Sequence, residues 1–222
     1  MATSSRAGGV TEPRIVSSAP AAGRAIAVTF DDGPSGSTQD VLDVLEAHEA
    51  RGTFFVVGQW TERLPHVVQA IAERGHEVAN HTWTHFDASE VPDEELWRDE
   101  LRRTSETIAA AAGRPPVLFR PPYGHEPERF AAVAAECGLG TTVLWSVDPE
   151  DWEGNEDDGL IEAAVLAEVH PGAIVLHHDG RPGQDWNSGS PQAGTVRALP
   201  RILERLADDG YRFVTVSELL AA

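Results

Sequence analysis

The chain has 222 residues, 41% of them hydrophobic and 24% charged, which is enough for one α/β domain with a full core. Its 36 acidic residues against 17 basic ones give a formal charge of −19, a surface that repels polyanions and so excludes nucleic acid as an expected partner. The lone Cys137 rules out an internal disulfide, and no stretch approaches the ~20 apolar residues of a membrane span.

Residues 1–22 are rich in Ser, Ala, Gly and Pro and read as a flexible leader without the apolar region of a signal peptide. The folded domain is assigned to 23–222. Strands are expected at 24–30, 53–57, 76–80, 116–120, 141–147, 172–178 and 211–216. Helices are expected at 37–50, 61–75, 93–113, 126–138, 158–169, 195–210 and 217–222. Cys137 ends the apolar run AAVAAEC and reads as core. Strict alternation over about seven β–α units implies a parallel sheet with helices outside, and that number suits a barrel or near-barrel. There is no Gly-x-Gly-x-x-Gly fingerprint and no P-loop, which argues against a nucleotide site.

The unusual polar residues sit at the C-terminal ends of these strands. Asp31 and Asp32 follow the first strand, and His81 and His85 follow 76–80. Arg120 ends 116–120. Asp148, Asp151 and Trp152 follow 141–147, and His177 and His178 end 172–178. In a parallel barrel all these ends meet at one rim, where active sites are built. Asp31-Asp32-Gly33-Pro34 could be only a turn, but adjacent carboxylates repel unless a cation is near. His81 and His85 would share a face on a helical turn and grip one metal ion together with a carboxylate of the aspartate pair. Three such ligands leave positions open for water and substrate, as a catalytic site requires. Arg120 suits a carboxylate partner. One of His177 and His178 belongs to the rim, and the other can simply pack. Residues 153–159 read as a solvated acidic loop. His48, His66, His76, His125 and His170 have no evident partner and read as surface or capping residues.

The segments TFDDGP, HTWTH, RPPYG, DPEDW and IVLHHD occur in the order of the five motifs of the NodB-homology polysaccharide deacetylases, carbohydrate esterase family 4, which the chain resembles over about residues 24 to 220. The resemblance implies a distorted (β/α) barrel. It implies a hydrolase that removes acetyl groups from a glycan with one divalent metal ion, zinc first, with cobalt, nickel or manganese as alternatives. Asp31 would be the general base, and Asp32, His81 and His85 the metal ligands. Arg120 would hold Asp31, and the Tyr123 backbone N–H would stabilise the oxyanion. Trp152 and Leu176 would wall the acetyl pocket, with Tyr123 also against the substrate. His178 would be the general acid, oriented by Asp151. The expected substrates are N-acetylglucosamine glycans: chitin, chitooligosaccharides or peptidoglycan.

The alternatives are an acetylxylan O-acetyl esterase using the same residues and a carbohydrate-binding protein without turnover. A non-haem iron oxygenase also uses two His and one carboxylate, but in all-β folds with a different ligand order. A monomer is the default expectation. By analogy with the family, the place of action would be secreted or at the cell envelope. The run from Gly180 to Gly194 looks long for the family, and a feature particular to this protein is expected there.

Overall fold

A computed structural model describes residues 13–152, 157–181 and 192–222 of the chain. Most of the long run after Gly180, part of the acidic loop at 153–159 and the first twelve residues of the expected leader lie outside the described residues.

The elements in chain order are β1 (Arg14–Val16), β2 (Ala25–Asp31), α1 (Gly36–Ala47), β3 (Gly52–Val56), α2 (Gly58–Arg63), α3 (Pro65–Glu73), β4 (Glu77–Asn80) and α4 (Glu94–Ala112). Then follow β5 (Leu118–Phe119), α5 (Pro127–Glu136), β6 (Thr141–Val143), α6 (Asp158–Glu168), β7 (Ile174–His178), α7 (Ala193–Asp208), β8 (Arg212–Phe213) and α8 (Val216–Ala221). The strands run β1-β6-β5-β4-β3-β2-β7, with β8 beside β2, and every paired ladder is parallel. The sheet curls into a half-barrel. Isolated bridges Ser18 to Ala173 and Val147 to Val175 bring its two ends towards each other.

Three departures from the sequence reading have local causes. Residues 14–22, read as leader, hold β1 and a short 3-10 turn; a three-residue edge strand is too short to carry a periodic signal. The helix expected at 61–75 is two helices broken at Leu64, because Pro65 disfavours helical backbone in the residue before it. The strand expected at 141–147 pairs as β6 only to Val143, and the chain then crosses to β7, where Ser146 N donates to Ile174 O (3.0 Å).

Strand alternation divides β2 between two environments. Ile26, Val28 and Phe30 face the helices, whereas Ala25 and Ala27 join Phe55, Ala79, Leu118, Val143 and Ile174 inside the curl. Val216 and Leu219 of α8 plug the lower end of this interior. Above that apolar floor the inward positions of β2 become Thr29 and Asp31, both buried. One buried polar layer therefore lies at the C-terminal ends of the strands; a second, Thr53 and Glu77, lies at the opposite end, where Glu77 Oε2 accepts from Thr53 Oγ1 (3.0 Å) and from Ser217 N of α8 (3.1 Å).

Helix α1 begins at a capping box. Ser35 Oγ accepts the Ser37 N–H (3.0 Å), and Thr38 Oγ1 accepts the Ser35 N–H (2.8 Å). Ser35→Ala is expected to cost about 1 kcal/mol. Thermal unfolding should register that as a fall of roughly 2–4 °C for a chain of this size.

Candidate active site

Asp31, Asp32, His81, His85, Tyr123, Trp152, Leu176 and His178 line one cleft of about 500 Å³ at the C-terminal rim. Asp31 and His178 are register partners on the adjacent strands β2 and β7. Alternation alone would send Asp32 away from Asp31. The strand ends at Asp31 and Asp32 takes φ 72°, which lets both carboxylates reach the rim. The turn is packed backbone to backbone against the end of β7. Asp179 N and Gly180 N donate to Asp31 O (3.0 and 3.2 Å). A Cβ on Gly180 would lie 2.2 Å from Asp32 O, and one on Gly33 would lie 2.3 Å from the Asp179 carboxylate. Only glycine fits at either position.

The two aspartates have different partners. Asp31 Oδ1 accepts from Arg120 Nη1 at 2.7 Å, and Arg120 is fully buried. Its guanidinium also donates to Thr29 Oγ1 (2.8 Å), Val143 O (3.1 Å) and Leu144 O (3.2 Å), and it lies over the Phe55 ring. Burial lowers the Arg120 pKa, and the Asp31 charge opposes that shift.

Asp32 Oδ1 lies 3.0 Å from His85 Nε2 and 3.4 Å from His81 Nε2, all three residues being buried. Burial pushes the Asp32 carboxyl up, but the two imidazoles outweigh it and hold the group well below the usual carboxylate range. His81 Nδ1 lies 2.7 Å from Arg120 O. Donation there leaves the Nε2 lone pair turned to Asp32, the orientation that a carbonyl bonded to the other ring nitrogen imposes on metal-binding histidines. Asp32 Oδ1 makes no well-aligned hydrogen bond although it is buried. Three donors thus converge on one point without satisfying one another. Ligands held ~2.0–2.1 Å from a tetrahedral zinc ion sit roughly 3.3 Å apart, which the observed spacings match. The donor set fits one divalent cation.

The two histidines do not share a helical turn, as the four-residue spacing suggested. Residues 81–85 form a loop in which Thr82 (φ 66°) and His85 (φ 59°) are both left-handed. Asn80 Oδ1 accepts from Thr82 N (2.9 Å), and Thr82 Oγ1 accepts from His85 N (3.1 Å).

On β7, alternation turns His178 inward to the cleft and His177 outward, where it stacks on Phe30. His178 Nδ1 lies 2.7 Å from Asp151 Oδ1, and its backbone N donates to Asp151 Oδ2 (3.0 Å). Thr195 Oγ1 donates to the same oxygen (2.7 Å). Burial alone would lower the His178 pKa, but Asp151, with help from Asp32 and Asp31, pushes it up to about 10. Asp151 is itself held well below the usual carboxylate range: burial opposes this, and the two histidines prevail. Tyr123 and Trp152 are about half exposed, at 54% and 49%, and Leu176 is buried at 3%. Tyr123 has φ 60°, and its ring packs edge-on against His85.

Several cleft residues carry no motif signal. His125, read as surface, faces the cleft and pairs with Asp87 (2.9 Å). Trp145, Arg181 and Gln192 also line it. Asp179 is buried with Oδ2 accepting from Thr38 Oγ1 (2.5 Å), and burial, with the nearby Asp32 and Asp31 charges, pushes its carboxyl up to about 7. His76 is buried rather than superficial; burial drives its pKa down to about 4, and its Nδ1 accepts from Gly52 N (3.2 Å).

Residues 18–142 match the model of the family described as polysaccharide deacetylase. The chain belongs to the polysaccharide deacetylase family, NodB/CE4. Among relatives of this deacetylase, a peptidoglycan-N-acetylglucosamine deacetylase of Bacillus cereus is 41% identical over 198 residues, 88% of this chain and 87% of that one. A chitooligosaccharide deacetylase of Bradyrhizobium is 39% identical over 88% of this chain and 90% of its own. The crystal structure of the Bc1960 peptidoglycan N-acetylglucosamine deacetylase superposes with a TM-score of 0.84 at 33% identity, covering 94% and 93% of the two chains. Among the described residues of the deacetylase, no helix is long and apolar enough to cross a membrane.

Proposed function

We propose that this deacetylase hydrolyses the N-acetyl groups of N-acetylglucosamine glycans, releasing acetate, and that it does so with one divalent cation on Asp32, His81 and His85. The observation that carries the reading is the buried convergence of these three donors beside an Arg-held aspartate and an Asp-held histidine in one cleft. The amide specificity is drawn from the relatives, whose names specify peptidoglycan N-acetylglucosamine and chitooligosaccharides. Zinc is the proposed ion, with cobalt, nickel or manganese able to use the same ligands. For a polymeric glycan of this kind, the proposed place of action is the cell envelope or outside the cell.

A cation bound there supplies a Lewis acid that polarises the acetyl carbonyl and acidifies water. The chain's own groups do the rest. Asp31, held by Arg120, takes a proton as the water oxygen bonds to the carbonyl carbon. The Tyr123 backbone N–H donates to the developing oxyanion; losing such a donor typically costs on the order of 10²–10³ in rate. Trp152 and Leu176 wall the acetyl methyl. With Nδ1–H donated to Asp151, His178 keeps Nε2 for the cleft and gives its proton to the glucosamine nitrogen as the C–N bond breaks.

The Asp151–His178 pair makes a pH prediction. A folded pKa above the unfolded 6.5 means that the pair's stabilisation is full below that value and fades as pH rises towards about 10. The depressed Asp151 pKa means that the same stabilisation is lost as pH falls below 3.8. Asp151→Asn should therefore lose most stability relative to wild type between these limits, pH 3.8 to 6.5, as measured by denaturant unfolding. Its kcat should fall by roughly 10²-fold, with the alkaline limb of the profile moved to lower pH. An unmoved limb would remove His178 from the role of acid.

The substrate assignment is tested by acetate release from N-acetylglucosamine oligomers and from acetylated xylan, measured side by side on the metal-loaded protein. Preference for the oligomers is expected. Release from xylan alone would make the protein an O-acetyl esterase, and release from neither would favour a binding protein.

A further inference from the structure

Glu100 lies in the middle of α4, on the helix layer outside the barrel and away from the strand ends that carry the other site residues. It is nevertheless buried, at 8% exposure. A buried carboxylate is costly unless its oxygens are occupied, and among the described residues the hydrogen-bond partners of this one lie in the loop between His81 and His85. Oε2 accepts from Trp83 N (2.7 Å) and Thr84 N (2.8 Å), and Oε1 accepts from Thr84 Oγ1 (3.0 Å).

The loop needs such an anchor. It passes through left-handed backbone at Thr82 and again at His85, conformations that persist only when the surroundings over-determine them. The same face of α4 holds the loop at two further points. Asn80 Nδ2 donates to Leu101 O (2.8 Å), and the Trp83 ring carries the Arg103 guanidinium at 3.5 Å.

We propose that Glu100 is a positioning residue for the metal site: its three hydrogen bonds to Trp83 and Thr84 set the spacing of the His81 and His85 imidazoles and thereby the affinity for a divalent cation. The proposal rests on the metal reading given above. Glu100 touches neither ion nor substrate, so its loss acts on metal affinity first and leaves the chemistry available once the site is filled. Outer-shell partners of metal ligands typically contribute 10–100-fold in affinity.

The test is zinc affinity of the full chain, measured by competition with a chromophoric chelator after metal removal. Wild type is compared with Glu100→Met, Glu100→Gln, Thr84→Val and, as a control, His85→Ala. Glu100→Met keeps the volume but removes both acceptors, and should weaken zinc roughly 10–100-fold. Acetate release should recover at saturating zinc. Glu100→Gln keeps one oxygen for the two backbone N–H groups and should stay within about threefold of wild type. Thr84→Val removes one bond from an exposed residue and should weaken zinc roughly two- to tenfold, so it carries the test if Glu100→Met does not fold. Wild-type affinity in both Glu100→Met and Thr84→Val, with affinity lost in His85→Ala, would overturn the proposal and leave the metal reading standing. Wild-type protein that binds zinc no better than His85→Ala would overturn both.

Discussion

Asp31→Asn should lower kcat by about 10²–10⁴-fold, the range that a positioned general base contributes. Asn keeps the size of Asp and retains an oxygen for Arg120 Nη1, now 2.7 Å from Asp31 Oδ1, so the fold around the strand end should survive. What is lost is the ability to accept a proton from the attacking water. Binding of an N-acetylglucosamine oligomer should change little, because base catalysis acts in the transition state. Steady-state kinetics and a direct binding titration on the same preparation separate the two effects. Undiminished kcat would remove Asp31 from the mechanism, whereas a collapse in both binding and kcat would point to a disordered site.

Arg120→Ala should be the most damaging change to stability. The side chain has no exposure, and its guanidinium serves Asp31, Thr29 and the carbonyls of Val143 and Leu144 at once. Removing it leaves the buried Asp31 carboxylate without its counter-charge and opens a void beside Phe55 and Trp145. Breaking a buried pair from one side typically costs about 3–5 kcal/mol. For a chain of this length that is a fall in Tm of roughly 6–20 °C. Replacing Arg120 and Asp31 together by apolar residues of similar volume should recover part of the stability and none of the activity, because the penalty comes from the unpaired charge. Calorimetry on the two variants distinguishes this from a simple packing defect, in which the double change would be worse.

The parts of the site that were legible in the sequence share one property. Asp31, Asp32, His81, Arg120 and His178 stand where an apolar strand ends, so parallel topology alone gathers them at a rim. The family resemblance then separated Asp31 from Asp32, which spacing could not do. In the structure Asp31 bears Arg120, whereas Asp32, turned by its left-handed backbone, faces the two histidines. The illegible parts depend on what packs on them. Glu100 lies within ELWRDELRR, where a charged residue on an amphipathic helix reads as solvated; it is buried because the loop at 81–85 folds over it. Nor does the spacing of His81 and His85 reveal that a non-helical loop joins them. His125 lacked a visible partner because Asp87 is 38 residues away in sequence. β1 was missed because three residues cannot establish a period, although they pair in register with Thr141 to Val143 of β6.

Hydrolysis is proposed to depend on one divalent cation held by Asp32, His81 and His85. The most direct measurement is acetate release from N-acetylglucosamine oligomers by chelator-stripped protein as zinc is added back in steps. Activity absent at the start, rising linearly and saturating at one equivalent per chain is the expected result, with His81→Ala silent throughout. Full activity in excess chelator, or an active His81→Ala, would contradict it.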